Sequence, residues 1–441
     1  MRHFKKLRLP VLLILVICLL NQALTFVLEP AKNSTSANMW EGYSHQKDLT
    51  AVFVGSSLCH ASMNPSIIDP IAGIKAYNMG TNGQMLSESY TAIETAIRDY
   101  HIKTAVLGFG YFSMQKKQSL GAEVAFYRAK TTYGSAGDRL QNHLTFLFDP
   151  EHLYSESSIN YFFPWIYDHC GMSGEELQKN IAGRISNEFH KTPEYTENGF
   201  LPSSGRMNIN RMGTDVTGVG RHEKFDQSSY AELAKICQLC KKNQVKLYVI
   251  EVAQPDLYVV AYGKSYFEKQ QKLEKVCRDN GGEYYDFNMI KPVLFTAKQE
   301  YFRDHEHMNT TGATAFSKAI GTFLQMREKG ENVSSLFYTE SEYLKTMNYI
   351  ACVNFVTRQK KGITTLHAKA YTGPDVKVEY QFEEWDPASK EFKEIRAYSA
   401  DQDCIFAPGR NGKYLLRVNS RLAGSKDPWQ KYYQKKIDWE R

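Results

Sequence analysis

The segment 304–307 holds four consecutive side chains that could do chemistry: Asp304, His305, Glu306 and His307. An Asp and a His three residues apart on a tight turn can hydrogen-bond, so that the carboxylate fixes the imidazole tautomer and Nε2 faces a nucleophile. All four side chains are also potential metal ligands. Two histidines at i and i+2 do not face one ion from a helix, and no further ligand cluster stands out in the sequence. Acid–base chemistry is therefore favoured over a metal site.

A candidate nucleophile lies far upstream, where the apolar run 50–55 ends in Gly55-Ser56-Ser57. A serine that follows a buried strand, on a turn begun by glycine and at a helix N-terminus, lies where backbone N–H groups can stabilise an oxyanion. Gly-Ser-Ser is also an ordinary turn or helix cap, so this block alone is weak support for catalysis.

Alternating strands and helices must position these two blocks. Apolar runs predict strands over 50–55, 74–78, 103–109, 246–251 and 283–287, and helical periodicity predicts helices over 84–100, 230–242, 266–279 and 313–329. Residues 126–185 are predicted to be mostly helical, and the polar segment 196–228 is predicted to be a surface loop, the kind that often acts as a lid. This order predicts a parallel sheet with helices on both faces and a crevice at the carboxyl ends of its strands.

The N-terminus predicts a membrane anchor. Residues 9–27 form an apolar run that follows four basic residues, and a run of this length roughly spans a hydrocarbon core of about 30 Å. The basic flank stays inside, which predicts a signal anchor over 1–28, a spacer over 29–49 and a chain whose bulk lies outside the cytoplasm. A cleaved signal peptide is the alternative, although no small-x-small site follows the run.

Composition narrows the class of protein. The chain has 441 residues, a net charge of +6 and 42% hydrophobic residues, which predicts a packed protein of more than one domain. Its basic residues form no stripe, so nucleic acid is not expected as a partner. Seven of the eight cysteines lie beyond the anchor at irregular spacing, which does not indicate a disulfide framework. Cys237 and Cys240 are interpreted as buried helix cysteines rather than as a redox or zinc pair.

From about residue 350 the sequence becomes rich in short β segments. Turn signals separate predicted strands over 363–371, 376–385, 392–398, 404–407 and 413–418, which predicts a small β-sandwich over 350–441. Its aromatic residues suit either a core or a glycan-binding surface.

The order of the chemical blocks resembles the GDSL/SGNH hydrolase superfamily. The resemblance is carried by 55–57, by 78–84 (Asn-Met-Gly-Thr-Asn-Gly-Gln) and by 304–309 (Asp-His-Glu-His-Met-Asn) with Gly312. Among its members the chain is most similar to membrane-anchored proteins of bacterial envelope polymer acylation, such as the D-alanylation and alginate O-acetylation proteins. The resemblance implies a flavodoxin-like, three-layer α/β fold over 50–335, and the C-terminal region resembles an immunoglobulin-like module.

The resemblance also implies roles for single residues. Ser57 is then the nucleophile, His307 the general base and Asp304 the residue that orients it. The backbone N–H groups of Ser57 and Gly80 are the expected oxyanion donors.

Two positions depart from the pattern of the family. Leu58 follows the serine where many relatives have histidine, and 108–110 reads Gly-Phe-Gly where the superfamily has Gly-x-Asn. The third oxyanion donor is therefore open, with Asn82 or Gln84 as substitutes.

We therefore expect an extracytoplasmic serine esterase or O-acyltransferase that acts on acyl esters, with acetyl favoured, of a cell-envelope polysaccharide, without a cofactor or metal. The resemblance alone implies a membrane acyl-exporting partner. One alternative is a non-catalytic scaffold or glycan-binding surface protein that keeps the fold. Another is a metal-dependent hydrolase at 304–307.

Overall fold

A five-stranded parallel sheet forms the centre of the computed structural model, which describes residues 2–28, 34–115, 120–149, 156–168, 173–186, 196–208, 225–255, 257–360 and 363–439. The strand order is β2-β1-β3-β4-β5, and every pairing is parallel. The strands are β1 (Ala51–Gly55), β2 (Ala76–Asn78), β3 (Thr104–Phe109), β4 (Lys246–Glu251) and β5 (Glu283–Asp286). The strands β1 to β4 are almost completely buried, which explains why the sequence shows apolar runs there rather than alternation, whereas β5 is mostly only partly buried.

Helices cover both faces of this sheet. One face packs against α2 (Thr35–Ser44), α5 (Leu86–Tyr100), α11 (Gln227–Lys242) and α13 (Lys264–Asn280). The other face packs against α3 (Ser57–Ser62), α4 (Pro65–Ala72) and α14 (Thr310–Glu328). The predicted α/β architecture with a parallel sheet is therefore confirmed.

The remaining helices lie outside this three-layer unit. The N-terminal helix α1 is Arg2–Leu28, and its segment Leu9–Leu28 is long and apolar enough to cross a membrane or to act as a signal anchor. Between β3 and α11, the described residues form five further helices: α6 (Leu120–Tyr133), α7 (Ala136–Phe148), α8 (Glu156–Phe162), α9 (Trp165–Asp168) and α10 (Gly174–Ser186). Two short helices follow later, α12 (Leu257–Tyr262) and α15 (Glu340–Thr346).

The end of β1 approaches β3 so closely that side chains do not fit between them. Gly55 has a φ of 141°, and a Cβ on it would collide with the carbonyl oxygen of Gly108. A Cβ on Gly108 would lie 2.7 Å from the Cβ of Cys59 in α3. The two glycines thus allow α3 to cross the carboxyl ends of β1 and β3, with Cys59 packed between the helix and the two strands.

The C-terminal region is an antiparallel β structure made of two sheets. One sheet has the order β10-β7-β6 and the other β12-β11-β8-β9. The strands are β6 (Ile350–Lys360), β7 (Ile363–Thr372), β8 (Val378–Asp386), β9 (Glu391–Ser399), β10 (Asp403–Phe406), β11 (Gly412–Leu422) and β12 (Lys431–Trp439). Side chains from both sheets form one apolar core, which includes Phe355, Leu366, Phe382 and Val418.

Several elements differ from those that the sequence predicts. The helices α2, α4, α12 and α15 and the strands β6 and β12 have no predicted counterpart. The helix α3 was predicted only as a helix N-terminus at Ser57, and 196–208 is irregular as expected. The part of the predicted loop over 209–224 lies outside the described residues. Cys237 and Cys240 are buried in α11, and each cysteine of the described ranges is a free thiol.

We predict that Gly55→Ala lowers the free energy of unfolding by about 2–4 kcal/mol, because the added methyl meets a backbone carbonyl at a strained positive φ. Urea denaturation followed by circular dichroism measures the change. Gly121→Ala in α6 is the matched control, since its Cβ would face open space, and its effect should be neutral or stabilising by up to about 1 kcal/mol. Equal stability of both variants would contradict the proposed close approach.

Candidate active site

Ser57 lies at the first position of α3, directly beyond the carboxyl end of β1. Ser56 is the N-cap of this helix, and its hydroxyl accepts a hydrogen bond from the Leu58 N–H at 3.3 Å. Since Ser56 supplies the cap, the hydroxyl of Ser57 is not needed for it and faces His307 instead. The Ser57 Oγ lies 2.7 Å from His307 Nε2, although 250 residues separate the two in the chain.

His307 is held from its other side by Asp304. Its Nδ1 lies 3.0 Å from both carboxylate oxygens of Asp304. The structure therefore brings the three predicted side chains into one line, with the imidazole between the hydroxyl and the carboxylate. A nucleophile, base and orienting group within hydrogen-bond reach can activate the hydroxyl.

The carboxylate of Asp304 is stabilised mainly by its own loop. Its Oδ1 accepts hydrogen bonds from the backbone N–H groups of Glu306 at 2.9 Å and of His307 at 2.7 Å. Partial burial opposes ionisation, but hydrogen bonds from the His307 ring and from these N–H groups outweigh it and hold the pKa of Asp304 well below its usual range. Asp304 is therefore an anion at neutral pH.

Backbone contacts on both sides fix this loop. Phe302 and Met308 pair as an isolated antiparallel bridge, and Asn309 caps α14 by accepting the Gly312 N–H at 3.0 Å. A Cβ on Gly312 would collide with the carbonyl oxygen of Tyr301, so the close contact requires glycine. The Asn-x-x-Gly part of the motif thus holds the Asp-x-x-His part in place.

A small pocket of about 130 Å³ opens beside Ser57. Its wall combines aromatic rings and glycines with a few polar groups, and its lining consists of Ser56, Ser57, Leu58, Gly83, Gly110, Tyr111, Phe112, Gln254, Tyr258 and Glu306. The carboxamide oxygen of the buried Gln254 has no hydrogen-bond partner among the described residues. Gln254 and Tyr258 were not predicted from the sequence, although their position just beyond the carboxyl end of β4 could have indicated them.

The three further candidate residues come from segment 78–84, and each has a different environment near the site. The Gly80 N–H donates to Asn78 Oδ1 at 2.9 Å, inside the core. Gln84 is buried, accepts from the Thr81 hydroxyl and donates to the Ser89 hydroxyl. Asn82 is exposed, and its Oδ1 is bound to His60. In this structure the Gly80 and Gln84 groups thus hydrogen-bond within the fold, and the oxyanion roles stay predictions.

His60 is a buried histidine one turn after Ser57. Its Nε2 lies 2.8 Å from Asn82 Oδ1, and its Nδ1 has no hydrogen-bond partner among the described residues. Burial lowers the pKa of His60 to about 4. The hydrogen bond to Asn82 raises this pKa, and the electrostatic effect of the nearby His307 and Arg303 lowers it further. A neutral His60 donates its Nε2–H and orients the carboxamide of Asn82. The sequence showed only that a histidine follows Cys59.

The side chains of the neighbouring residues His305 and Glu306 are not part of the hydrogen-bonded arrangement of Ser57, His307 and Asp304. They form their own pair, with His305 Nε2 3.5 Å from Glu306 Oε1. Across the described ranges, no group of three or more His, Cys, Asp or Glu side chains is arranged to hold a metal ion.

No family model matches the chain, and no curated protein matches it. Among solved structures it overlaps a candidate platelet activating factor from Streptococcus pneumonia at 11% identity and a TM-score of 0.28, over 70% of this chain and 98% of that one. It also overlaps a candidate acylhydrolase from Bacteroides fragilis at 8% identity and a TM-score of 0.26, over 63% of this chain and 86% of that one.

We predict that acid destabilises the protein partly through His60. Its pKa falls from 6.5 in the unfolded chain to about 4 in the fold, so the unfolded chain binds the extra proton between these values. Its contribution to stability is complete above pH 6.5 and is lost as the pH falls through that window, by about 2 kcal/mol at pH 5.

Urea denaturation of wild type and His60→Gln at pH 7 and pH 5 tests this contribution. The difference between the two proteins is the readout, since Asp69 and Asp286, whose pKa values burial raises to about 6, act with the opposite sign. The wild type should lose more stability than the variant between the two pH values. The same loss in both proteins would show that His60 is not held neutral.

Proposed function

We propose that the chain is a serine-dependent ester hydrolase or O-acyltransferase in which Ser57 is the nucleophile, His307 the general base and Asp304 its orienting carboxylate. One observation carries the proposal: the Ser57 hydroxyl lies 2.7 Å from His307 Nε2 while Nδ1 of the same ring faces Asp304. The hydrogen bonds within the 304–307 loop support it, because they hold the imidazole in one orientation without help from a ligand.

The reaction proceeds in two steps. Ser57 Oγ attacks the ester carbonyl carbon and passes its proton to His307 Nε2, giving a tetrahedral oxyanion. The bond to the leaving alcohol then breaks, and the imidazolium returns the proton to the alcohol oxygen. In the second step His307 takes a proton from water or a sugar hydroxyl, whose oxygen attacks the acyl-enzyme, and Ser57 leaves with that proton. Water as acceptor makes an esterase, and a bound glycan makes a transferase.

Backbone and carboxamide N–H groups are proposed to stabilise the oxyanion. The Ser57 N–H at the start of α3 is one donor. Asn82 is a second, since its oxygen accepts from His60 and its Nδ2 has no hydrogen-bond partner among the described residues. Gly80 would contribute only by exchanging its hydrogen bond to Asn78. One such donor is worth roughly 3 kcal/mol of transition-state stabilisation, so the rate of acyl transfer depends strongly on how many of these donors reach the oxyanion.

The substrate is proposed to be a short acyl ester of a cell-envelope polysaccharide. The small pocket beside Ser57 suits an acetyl group, and its aromatic rings suit the apolar faces of a sugar. The apolar helix α1 supports a location at the cell membrane with the site outside the cytoplasm. A membrane acyl-exporting protein is the proposed source of acyl groups for the transferase.

We predict that Ser57→Ala and His307→Ala each lower the turnover of p-nitrophenyl acetate by about 10⁴-fold or more, because the nucleophile and its base act as one unit. Release of p-nitrophenolate by the full-length protein in detergent is the measurement. Ser62→Ala is the matched control: it removes a buried hydroxyl from the same helix that has no partner among the described residues, so turnover should persist.

Turnover that is indifferent to Ser57 would reject the acyl-enzyme. A folded protein without turnover toward acetylated glycans or p-nitrophenyl acetate would favour the second candidate, a scaffold that retains the fold. The hydrogen bond from Gly80 N–H to Asn78 is the observation that favours that candidate, because it occupies an expected oxyanion donor.

Asp304→Asn is predicted to reduce kcat by about 10³–10⁴-fold, because an amide stabilises neither the required tautomer nor the imidazolium. Single-turnover acylation by p-nitrophenyl acetate measures the step directly. Asp403→Asn is the control: it breaks a second His–Asp pair, with His367 at 2.7 Å, in the C-terminal β structure. Comparable losses in both variants would contradict a special role for Asp304.

A further inference from the structure

Among residues 9–28 of α1, the contacts with the rest of the described structure lie along 21–28. Residues 9–20 are exposed, while several residues of 21–28 are partly covered by α8, α9 and α10. Asn21 is central to these contacts. Its Nδ2 donates to the Phe162 carbonyl at 2.9 Å, and its Oδ1 accepts from Trp165 Nε1 at 2.8 Å.

A second contact lies nearer the end of α1. Asn180 in α10 donates to the Val27 carbonyl at 3.0 Å, and the guanidinium of Arg184 lies 5.9 Å from the centre of the Phe26 ring. The inserted helices are therefore joined to α1 by polar side chains from both partners. These bonds satisfy the carboxamide of Asn21, which would be costly to leave unpaired in hydrocarbon.

The position of Asn21 fixes the depth of these helices. At 1.5 Å per residue, Asn21 lies about 10 Å from the end of α1 at Leu28. If Leu9–Leu28 crosses a hydrocarbon core of about 30 Å, Asn21 lies about 10 Å inside its outer boundary. Phe162 and Trp165, which bind Asn21, then lie at that depth as well.

The same helices expose a set of large apolar side chains. In α7, Leu140, Leu144 and Leu147 recur at helical spacing on the face opposite the buried Asn142 and Phe146. The full set on α7–α10, each side chain 36–74% exposed, is Leu140, Leu144, Leu147, Phe148, Ile159, Ile166 and Ile185. A soluble helix that buries one side seldom carries leucines along the other.

We infer that α7–α10 form a membrane-inserted platform, whose occupant is the acyl-chain layer of the outer leaflet. This platform, which consists of the described residues of α7–α10, rests on the membrane location given in the proposed function and is independent of the catalytic assignment. The contact with α1 indicates that lipid rather than water covers the exposed apolar side chains, because the platform is hydrogen-bonded to the part of α1 that lies within the bilayer. Its exposed leucines, isoleucines and phenylalanine lie on α8, α9 and α10, which contact α1, and on α7, which packs on α8.

The short connection from α1 to α2 keeps the candidate active site close to the membrane. Thr35, seven residues after Leu28, accepts a hydrogen bond from the Asn82 N–H at 3.1 Å. Seven residues span at most about 25 Å, so the loop that carries Gly80 and Asn82 stays within that distance of the outer end of α1. Substrates carried at the membrane surface can therefore reach Ser57.

Spin labels on single cysteines of the full-length protein in lipid vesicles test this inference. Phe148→Cys and Ile185→Cys report on the platform, in a background with Cys18→Ser and Cys170→Ser. Val293→Cys is the matched control, since Val293 is an apolar residue that is 80% exposed and lies outside the platform. The native Cys18, labelled in a Cys170→Ser background, reports on α1. Collision rates with oxygen, which concentrates in hydrocarbon, and with a water-soluble nickel chelate are compared.

The expected result is a ratio of oxygen to nickel accessibility that is severalfold higher at Phe148 and Ile185 than at Val293, and similar in direction to that at Cys18. If the Cys18 label lies in lipid but the platform labels are as accessible to the nickel chelate as the Val293 label, the inference is overturned and the membrane anchor stands. Low accessibility to both reagents at the platform would overturn it in favour of a protein partner. A Cys18 label in water would reject the membrane location itself, while ester turnover would be unaffected.

Discussion

The close approach of Gly55 to Gly108 is the constraint on which the candidate site depends. Because neither residue has a side chain, α3 can lie across the carboxyl ends of β1 and β3 with Cys59 against the backbone. This packing places Ser57 above the carboxyl ends of the strands rather than beside the sheet. The position of the hydroxyl is thus determined by packing in the centre of the fold, where few atoms can move.

His307 reaches this position by a different means. Its loop is held by local hydrogen bonds to Asp304 and by the cap at Asn309, and segment 196–208 connects it to α3. Within that segment, the Leu201 N–H donates to the carbonyl of His60, and the Ser203 hydroxyl donates to the carbonyl of Met308. One irregular segment therefore contacts both halves of the Ser57–His307 pair. This contact explains how groups 250 residues apart come within hydrogen-bond distance.

The sequence predicts those features that depend on local patterns. Buried parallel strands appear as apolar runs, and amphipathic helices such as α5 and α11 show their period, so the α/β architecture could be predicted. The helix α3 has only six residues, and β12 begins with the polar run Lys-Tyr-Tyr-Gln-Lys-Lys, so neither shows a pattern long enough to detect. The partners of Gly80, Gln84 and His60 depend on tertiary packing, and no spacing in the sequence indicates them. Gln254 likewise becomes a pocket residue only because β4 ends beside β3.

The insertion that forms the platform also begins and ends at the pocket. Tyr111 and Phe112, which line the pocket, follow β3 after Gly110. The chain returns beside them, where the Phe225 ring packs on Tyr111 and the Asp226 N–H donates to the Met114 carbonyl. Because both ends of the insertion are fixed beside Ser57, the tilt of the platform in the bilayer would set the direction in which the pocket faces. On another side, Tyr258 of α12 lines the pocket, while Leu257 packs on Ala351 and Tyr371 of the C-terminal β structure. The pocket therefore lies between the inserted segment that follows β3 and the C-terminal β structure.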